Sequence, residues 1–189
     1  PLKEGKNLSC LRSTFDWKYP LCYGENLKIE DCFFSSQARA GIWYSQDVTL
    51  SSCRYEAPKG FRKCINIHIE NSSFPHALET LWWNEDVELK NVQVQQGDYF
   101  GMGSRNVRIE NLSLQGNYAF DHGENLKISH SSLLTKDAFG IAKTSRFMTP
   151  TSKGNILAGI VPTSPWFVAK SNPCRDFAIS MGWRWWIVR

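Results

Sequence analysis

Polar and apolar residues alternate in short runs along this chain, and the runs return at a nearly constant interval. The stretch N-V-R-I-E-N-L-S-L at 106–114 shows the unit most clearly. Asn7, Asn26, Asp47, Asn66, Asp86, Asn106 and Asn125 open seven copies, spaced by 19, 21, 19, 20, 20 and 19 residues. One position on stands Leu8, Leu27, Val48, Ile67, Val87, Val107 or Leu126; three positions on stands Cys10, Ile29, Leu50, Ile69, Leu89, Ile109 or Ile128. Eight positions on stands Phe15, Phe34, Tyr55, Phe74, Val94, Leu114 or Leu133. Self-similarity at such a period means a solenoid. The alternation inside the unit is that of a strand rather than a helix. The stretches between units carry a second apolar run, such as I-W-Y at 42–44, and no amphipathic helix. The pattern therefore predicts an all-β fold, a parallel β-helix with two or three short strands per coil. Equivalent residues then stack about 4.8 Å apart, and each series above is a column in space.

Five positions after each opening residue come Arg12, Asp31, Ser52, Asn71, Asn91, Asn111 and His130. Asn71, Asn91 and Asn111 predict an amide ladder at a corner of the coil. Side-chain amides can bond from one coil to the next there, and asparagine tolerates a left-handed backbone. Outward positions alternate in charge (Glu70, Lys90, Glu110, with Glu88 beside Arg108), which reads as a solvated face of weak ion pairs.

The 189 residues are enough for one domain. A net charge of +4 is too small to argue for nucleic acid. No apolar run of about 18 residues suggests a membrane helix. The opening P-L-K-E-G-K lacks the apolar core of a signal peptide, so a cytoplasmic protein is expected. The chain starts in mid-pattern at Pro1, which reads as an N-terminal truncation. Of the six cysteines, Cys32 and Cys53 hold one position in neighbouring coils. Free core thiols are expected, a disulfide between these two being the alternative. His122 beside Asp121 is the nearest approach to a metal site, but zinc needs three or four converging ligands, so neither metal nor cofactor is expected.

Candidate chemistry lies in the other half of each coil. Seven or eight residues before each opening residue stand Lys18, Arg39, Lys59, Glu79, Asp98 and Asn117, with Asp137 after the last copy. Aromatics run beside them, among them Trp82, Trp83, Tyr99 and Tyr118. Carboxylates one coil apart would stand about 5 Å from each other, the spacing of a retaining glycosidase pair; two coils give about 10 Å, nearer an inverting pair. Glu79 with Asp98 fits the first and Asp98 with Asp137 the second, which makes these three the candidate catalytic residues. Lys18, Arg39, Lys59 and Arg62 would hold acidic sugars, with Trp82, Tyr99 and Tyr118 as stacking surfaces. The same series also fits charges that pair along the stack around aromatics that fill the interior.

The ordered motifs W-K-Y-P-L-x-Y, R-A-G-I-W-Y, A-P-K-x-F-R, E-T-L-W, G-D-Y-F, G-N-Y-x-F-D and K-D-A-F resemble those of the DUF3737 family. The resemblance covers roughly residues 1–139. It implies a bacterial right-handed β-helix of the pectate-lyase type, with no established catalytic residues to carry over.

The repeat stops after Phe139, so residues 1–140 are read as β-helix repeats and 141–189 as a foreign tail. Residues 140–150, G-I-A-K-T-S-R-F-M-T-P, can be encoded so that the frame one base back reads W-N-C-K-N-V-S-V-Y-D-A, which restores the repeat. A single-base deletion near the Phe139 codon is the expectation, a divergent C-terminal cap the alternative. Uncapped coil ends would favour oligomers or aggregates. Two functions follow. The first is a carbohydrate-binding or carbohydrate-active β-helix, of the polysaccharide lyase or glycoside hydrolase kind if an enzyme. The second is a non-enzymatic scaffold for protein interaction. Exposed side chains in the charged and aromatic series would favour the first.

Overall fold

The computed structural model describes residues 2–140 and, beyond them, the backbone of four strands at 143–148, 167–170, 177–181 and 184–188. A longer strand alternates with a two-residue one: β1 (Lys6–Leu11), β2 (Thr14–Phe15), β3 (Glu25–Glu30), β4 (Phe33–Phe34), β5 (Gln46–Ser51), β6 (Arg54–Tyr55), β7 (Ile65–Glu70) and β8 (Ser73–Phe74). In the next two coils both segments run on as one strand, β9 (Glu85–Val94) and β10 (Arg105–Asn117). The alternation returns with β11 (Glu124–Ser129), β12 (Ser132–Lys136) and β13 (Lys143–Met148).

These strands stack in parallel as a β-solenoid. The register runs Leu8, Leu27, Val48, Ile67, Val87, Val107, Leu126 without a slip, so the predicted period is the coil. From Leu27 and Ile29 onward the aliphatics of the two inward columns of the first strand are buried as expected, Ile128 being the most accessible at 4%. On the second strand the rings stack as a column: Phe15 on Phe34 at 4.5 Å, Phe34 on Tyr55 at 4.6 Å and Tyr55 on Phe74 at 5.5 Å between centroids.

Corners are made by left-handed residues. Every opening residue from Asn7 to Asn125 has φ between 52° and 55°, and the series five positions on, from Arg12 to His130, has φ between 46° and 56°. Such backbone costs L-residues about 1–2 kcal/mol each, least for Asn and Asp. The predicted ladder is present: Asn91 Nδ2 donates to Asn71 Oδ1 (2.9 Å) and Asn111 Nδ2 to Asn91 Oδ1 (2.8 Å). The opening residues form another, with Asn26 donating to Asn7, Asn66 to Asp47, Asn106 to Asp86 and Asn125 to Asn106. A carboxylate only accepts, so Asp47 and Asp86 end each run of bonds toward the preceding coil.

Inside each corner, backbone N–H groups that the turn removes from the strand ladder are met by small polar side chains. Gly24 N–H donates to Ser45 Oγ (3.0 Å), Ser45 N–H to Cys64 Sγ (3.4 Å), Cys64 N–H to Asn84 Oδ1 (2.7 Å) and Asn84 N–H to Ser104 Oγ (3.1 Å). At the other corner Ser13 N–H reaches Cys32 Sγ, Cys32 N–H reaches Cys53 Sγ and Cys53 N–H reaches Ser72 Oγ. Cys32, Cys53 and Cys64 therefore occupy serine positions in buried ladders. All described cysteines are free. Burial pushes the Cys53 thiol up to about 11 and the Cys64 thiol up to about 12. Alkylation by iodoacetamide at pH 8 is expected to reach the part-exposed Cys10 and to spare Cys22, Cys32, Cys53 and Cys64 until the protein unfolds. Rapid modification of Cys53 or Cys64 in the folded protein, detected by peptide mass mapping, would contradict this burial.

Tyr55 is the exception in its phenylalanine column. Its hydroxyl is buried and makes no hydrogen bond of good geometry among the described residues, the Gly41 backbone being only a marginal partner, and it takes the space that side chains at Gly41 and Gly60 would need. A buried unsatisfied hydroxyl costs about 1–3 kcal/mol. Tyr55→Phe is expected to raise Tm in a thermal melt; a lower Tm would mean that the hydroxyl has a partner in solution.

Apart from the ends of β10 and β12, where Asn117 pairs with Lys136, the third side of the coil carries among the described residues only isolated bridges at Gly41–Gly60 and Arg62–Trp82. It is held by left-handed residues at every second position, as in Tyr19, Leu21 and Tyr23, or Glu79, Leu81 and Trp83. Their N–H groups point alternately to the two neighbouring coils. Tyr19 and Tyr23 donate forward to Arg39 and Trp43 carbonyls, while Ile42 donates back to Pro20. Leu21, Ile42, Phe61, Leu81, Phe120 and Phe139 point inward and complete the core.

β13 continues the solenoid, with Ser145 level with Leu126 and Phe147 with Ile128. β14 (Phe167–Lys170), β15 (Phe177–Met181) and β16 (Arg184–Val188) instead form an antiparallel meander, laid along β12 through β14. The remainder of the tail, on which the frame-shift expectation also rests, lies outside the described residues.

Candidate aromatic and cationic face

The alternating backbone of the third side throws two pairs of columns outward. One column holds Tyr19, Lys59, Glu79, Tyr99, Tyr118 and Asp137; its neighbour holds Lys18, Arg39, Asp98, Asn117 and Lys136. The bonds that set this register are Tyr19 N–H to the Arg39 carbonyl, Glu79 N–H to Asp98, Tyr99 N–H to Asn117 and Tyr118 N–H to Lys136. The charged series in the sequence is thus two columns.

That division separates the candidate carboxylates. Glu79 shares its column with Tyr99 and pairs with Lys59 at 2.8 Å. Asp98 stands in the other column, where Oδ1 accepts the Asn117 backbone N–H (2.8 Å) and Nδ2 (2.9 Å). Asp137 continues the column of Tyr99 and Tyr118, so it does not stack with Asp98. Glu79, Asp98 and Asp137 therefore form neither of the stacked pairs expected, because adjacent residues on this side face different ways. Lys18 and Arg39 are exposed on the Asp98 column.

The aromatics divide as well. Phe61, Phe100, Phe120 and Phe139 are core. Tyr19, Tyr23, Tyr44, Trp83 and Tyr99 are exposed, from 40% for Tyr99 to 56% for Tyr19. Tyr23 stacks on Tyr44 and Tyr99 on Tyr118, each pair with centroids 5.0 Å apart, so these rings follow the coil spacing. Lys3 lies over the Tyr23 ring. Trp82 meets Tyr99 edge-on and donates its indole N–H to the Tyr99 carbonyl at 2.8 Å.

Arg62 sits between Trp43 and Trp82, its guanidinium carbon 5.2 Å from each ring centroid. Beside it lies an open depression of about 680 Å³ lined by Arg62, Lys63, Trp83, Glu85, Gly103 and Arg105. Gly103 stands where other coils carry Tyr23, Tyr44, Lys63, Trp83 or His122. A Cβ there would meet the Trp83 indole at 2.4 Å, so its absence lets that ring lie across the coil. Arg105 pairs with Glu85. Lys63 has no ionic partner among the described residues. Of these, the sequence pointed to Arg62 and to the Trp82 behind it. Trp83 stood among the aromatics noted beside the charged series, whereas Lys63 and Arg105 were missed. The available signal was the lone glycine in a column of large side chains.

With the coil period, the corner asparagines and this face in view, a family match decides the affiliation: the family described as protein of unknown function, DUF3737, matches residues 1–159. The chain belongs to the DUF3737 family. The match extends past residue 140 and takes in β13, the last coil in parallel register. No curated protein and no solved structure matches the chain. For this DUF3737 chain, family and parallel solenoid are established together, and function is argued from the face alone.

Proposed function

We propose that this DUF3737 protein binds an extended glycan along the third side of its solenoid, as a binding surface rather than as a hydrolase. The supporting observation is two stacked pairs of outward rings at coil spacing, the exposed Tyr23 on Tyr44 and Tyr99 on the part-exposed Tyr118, each at 5.0 Å. Flat apolar faces flanked by hydrogen-bonding cations suit sugar rings, and a rung of about 4.8 Å is close to the length of one pyranose unit. The cations flanking the rings (Lys18, Arg39, Lys59, Arg62 and Lys63) favour acidic sugars. Binding is preferred to turnover because Glu79 is engaged by Lys59 and Asp98 by Asn117, and they share no column.

The test is calorimetric titration of the full chain with neutral and acidic oligosaccharides, repeated on Trp83→Ala and Tyr99→Ala. Each exposed ring removed is expected to weaken glycan binding at least tenfold while Tm stays within about 1 °C of the parent, because neither side chain is core. Absence of binding to any oligosaccharide at millimolar concentration would remove this reading and leave the face to a protein partner.

A further inference from the structure

We propose that Arg62 is a carboxylate-recognition site, and that it selects a uronic-acid residue in the glycan bound by this face; the identity of the sugar rests on the reading above, the anion site does not. The Arg62 guanidinium carbon lies over the Trp43 ring of the preceding coil and the Trp82 ring of the next, 5.2 Å from each centroid. Two rings of this kind on either side restrict the side chain and take up none of its N–H donors. Among the described residues no carboxylate or carbonyl accepts from those donors, whereas Arg54 and Arg105 are each paired with a glutamate. An arginine whose charge has no partner among the described residues, held between two rings and only half-exposed, is arranged to receive an anion from outside.

The shape of the Arg62 fork favours a planar two-oxygen acceptor, which a guanidinium binds through two parallel hydrogen bonds. The surroundings agree in charge and in form. Lys63 adds a second cation without an ionic partner among the described residues at the rim of the depression, and the exposed Trp83 ring lies beside it as an apolar floor. A carboxylate carried on a saturated ring meets both requirements.

The experiment titrates the full chain with tetraglucuronate, with its fully methyl-esterified form and with free glucuronate. It is repeated on Arg62→Lys and Arg62→Gln, with circular dichroism as the check on folding. The acid is expected to bind at least tenfold more tightly than the ester. Arg62→Gln should bring the two together, and Arg62→Lys should lose most of the preference despite keeping the charge, because lysine lacks the fork. Equal binding of acid and ester by the parent protein would overturn carboxylate recognition while leaving glycan binding standing. If neither tetrasaccharide binds, the glycan reading fails. Arg62 is then judged by the tryptophan fluorescence response to free glucuronate. A saturable response lost in Arg62→Gln would uphold the anion site alone, and no response would overturn it.

Discussion

Phe74→Ala is expected to lower stability by about 3–5 kcal/mol, the range for deleting a fully buried phenylalanine ring. Phe74 is 0% exposed and stands in the middle of the solenoid, its ring 5.5 Å from Tyr55, 6.4 Å from Phe61 and 6.3 Å from Phe100. In a stacked-coil fold each turn contacts only its neighbours, so there is no distant part of the core to share the loss. Against a total stability of roughly 5–15 kcal/mol for a domain, the change is a large fraction. Urea unfolding should show a much lower midpoint, and hydrogen exchange should rise first in β6, β8 and β9 beside the cavity. Phe74→Leu should cost far less, because Leu114 and Leu133 fill the same column in later coils. A loss under about 1 kcal/mol for the alanine variant would mean that neighbouring rings collapse into the space.

Asn91→Ala is expected to cost about 2–3 kcal/mol, although Asn91 is exposed and a surface change is ordinarily worth under about 0.5 kcal/mol. Two effects add. The residue has φ 53°, a left-handed conformation that costs alanine about 1–2 kcal/mol. It also donates to Asn71 and accepts from Asn111, and hydrogen bonds of this kind contribute about 0.5–1.5 kcal/mol each. Two further variants separate the terms. Asn91→Gly relieves the backbone and loses the bonds; Asn91→Asp keeps the bond from Asn111 and loses the donor to Asn71. The expected order of stability is asparagine, aspartate, glycine, alanine. Glycine and alanine variants of equal stability would show that the left-handed backbone imposes no cost.

Reading frame and register are one quantity in a solenoid, which is why the coil was legible from the spacing of seven opening residues. Val48, Leu50, Ile67 and Ile69 recur as pairs because each strand has one inward face, and a slip of one residue would turn that face outward. Asn71, Asn91 and Asn111 were legible for a related reason. Only a side chain that both donates and accepts propagates a ladder, so the residue type itself repeats. The buried ladder of Ser45, Cys64, Asn84 and Ser104 was not legible, since its members share hydrogen-bonding capacity and nothing else.

The arrangement of the candidate site, though not most of its residues, lay beyond the sequence for a conformational reason. A side chain alternates predictably while the backbone stays extended. On the third side it does not: Tyr19, Ile42, Tyr44, Leu81 and Trp83 all adopt positive φ, a choice that local preference disfavours for each of them. Hydrogen bonds to the coils on both sides offset that cost, and they exist only once the coils are stacked. Glu79 and Asp98 therefore look like one column in the sequence and occupy two in the molecule. The spacing along the chain determined the coils, their register and their core. Only the stacking of those coils, by fixing the left-handed backbone between them, decided that Arg62 lies between two tryptophans and that the carboxylates face apart.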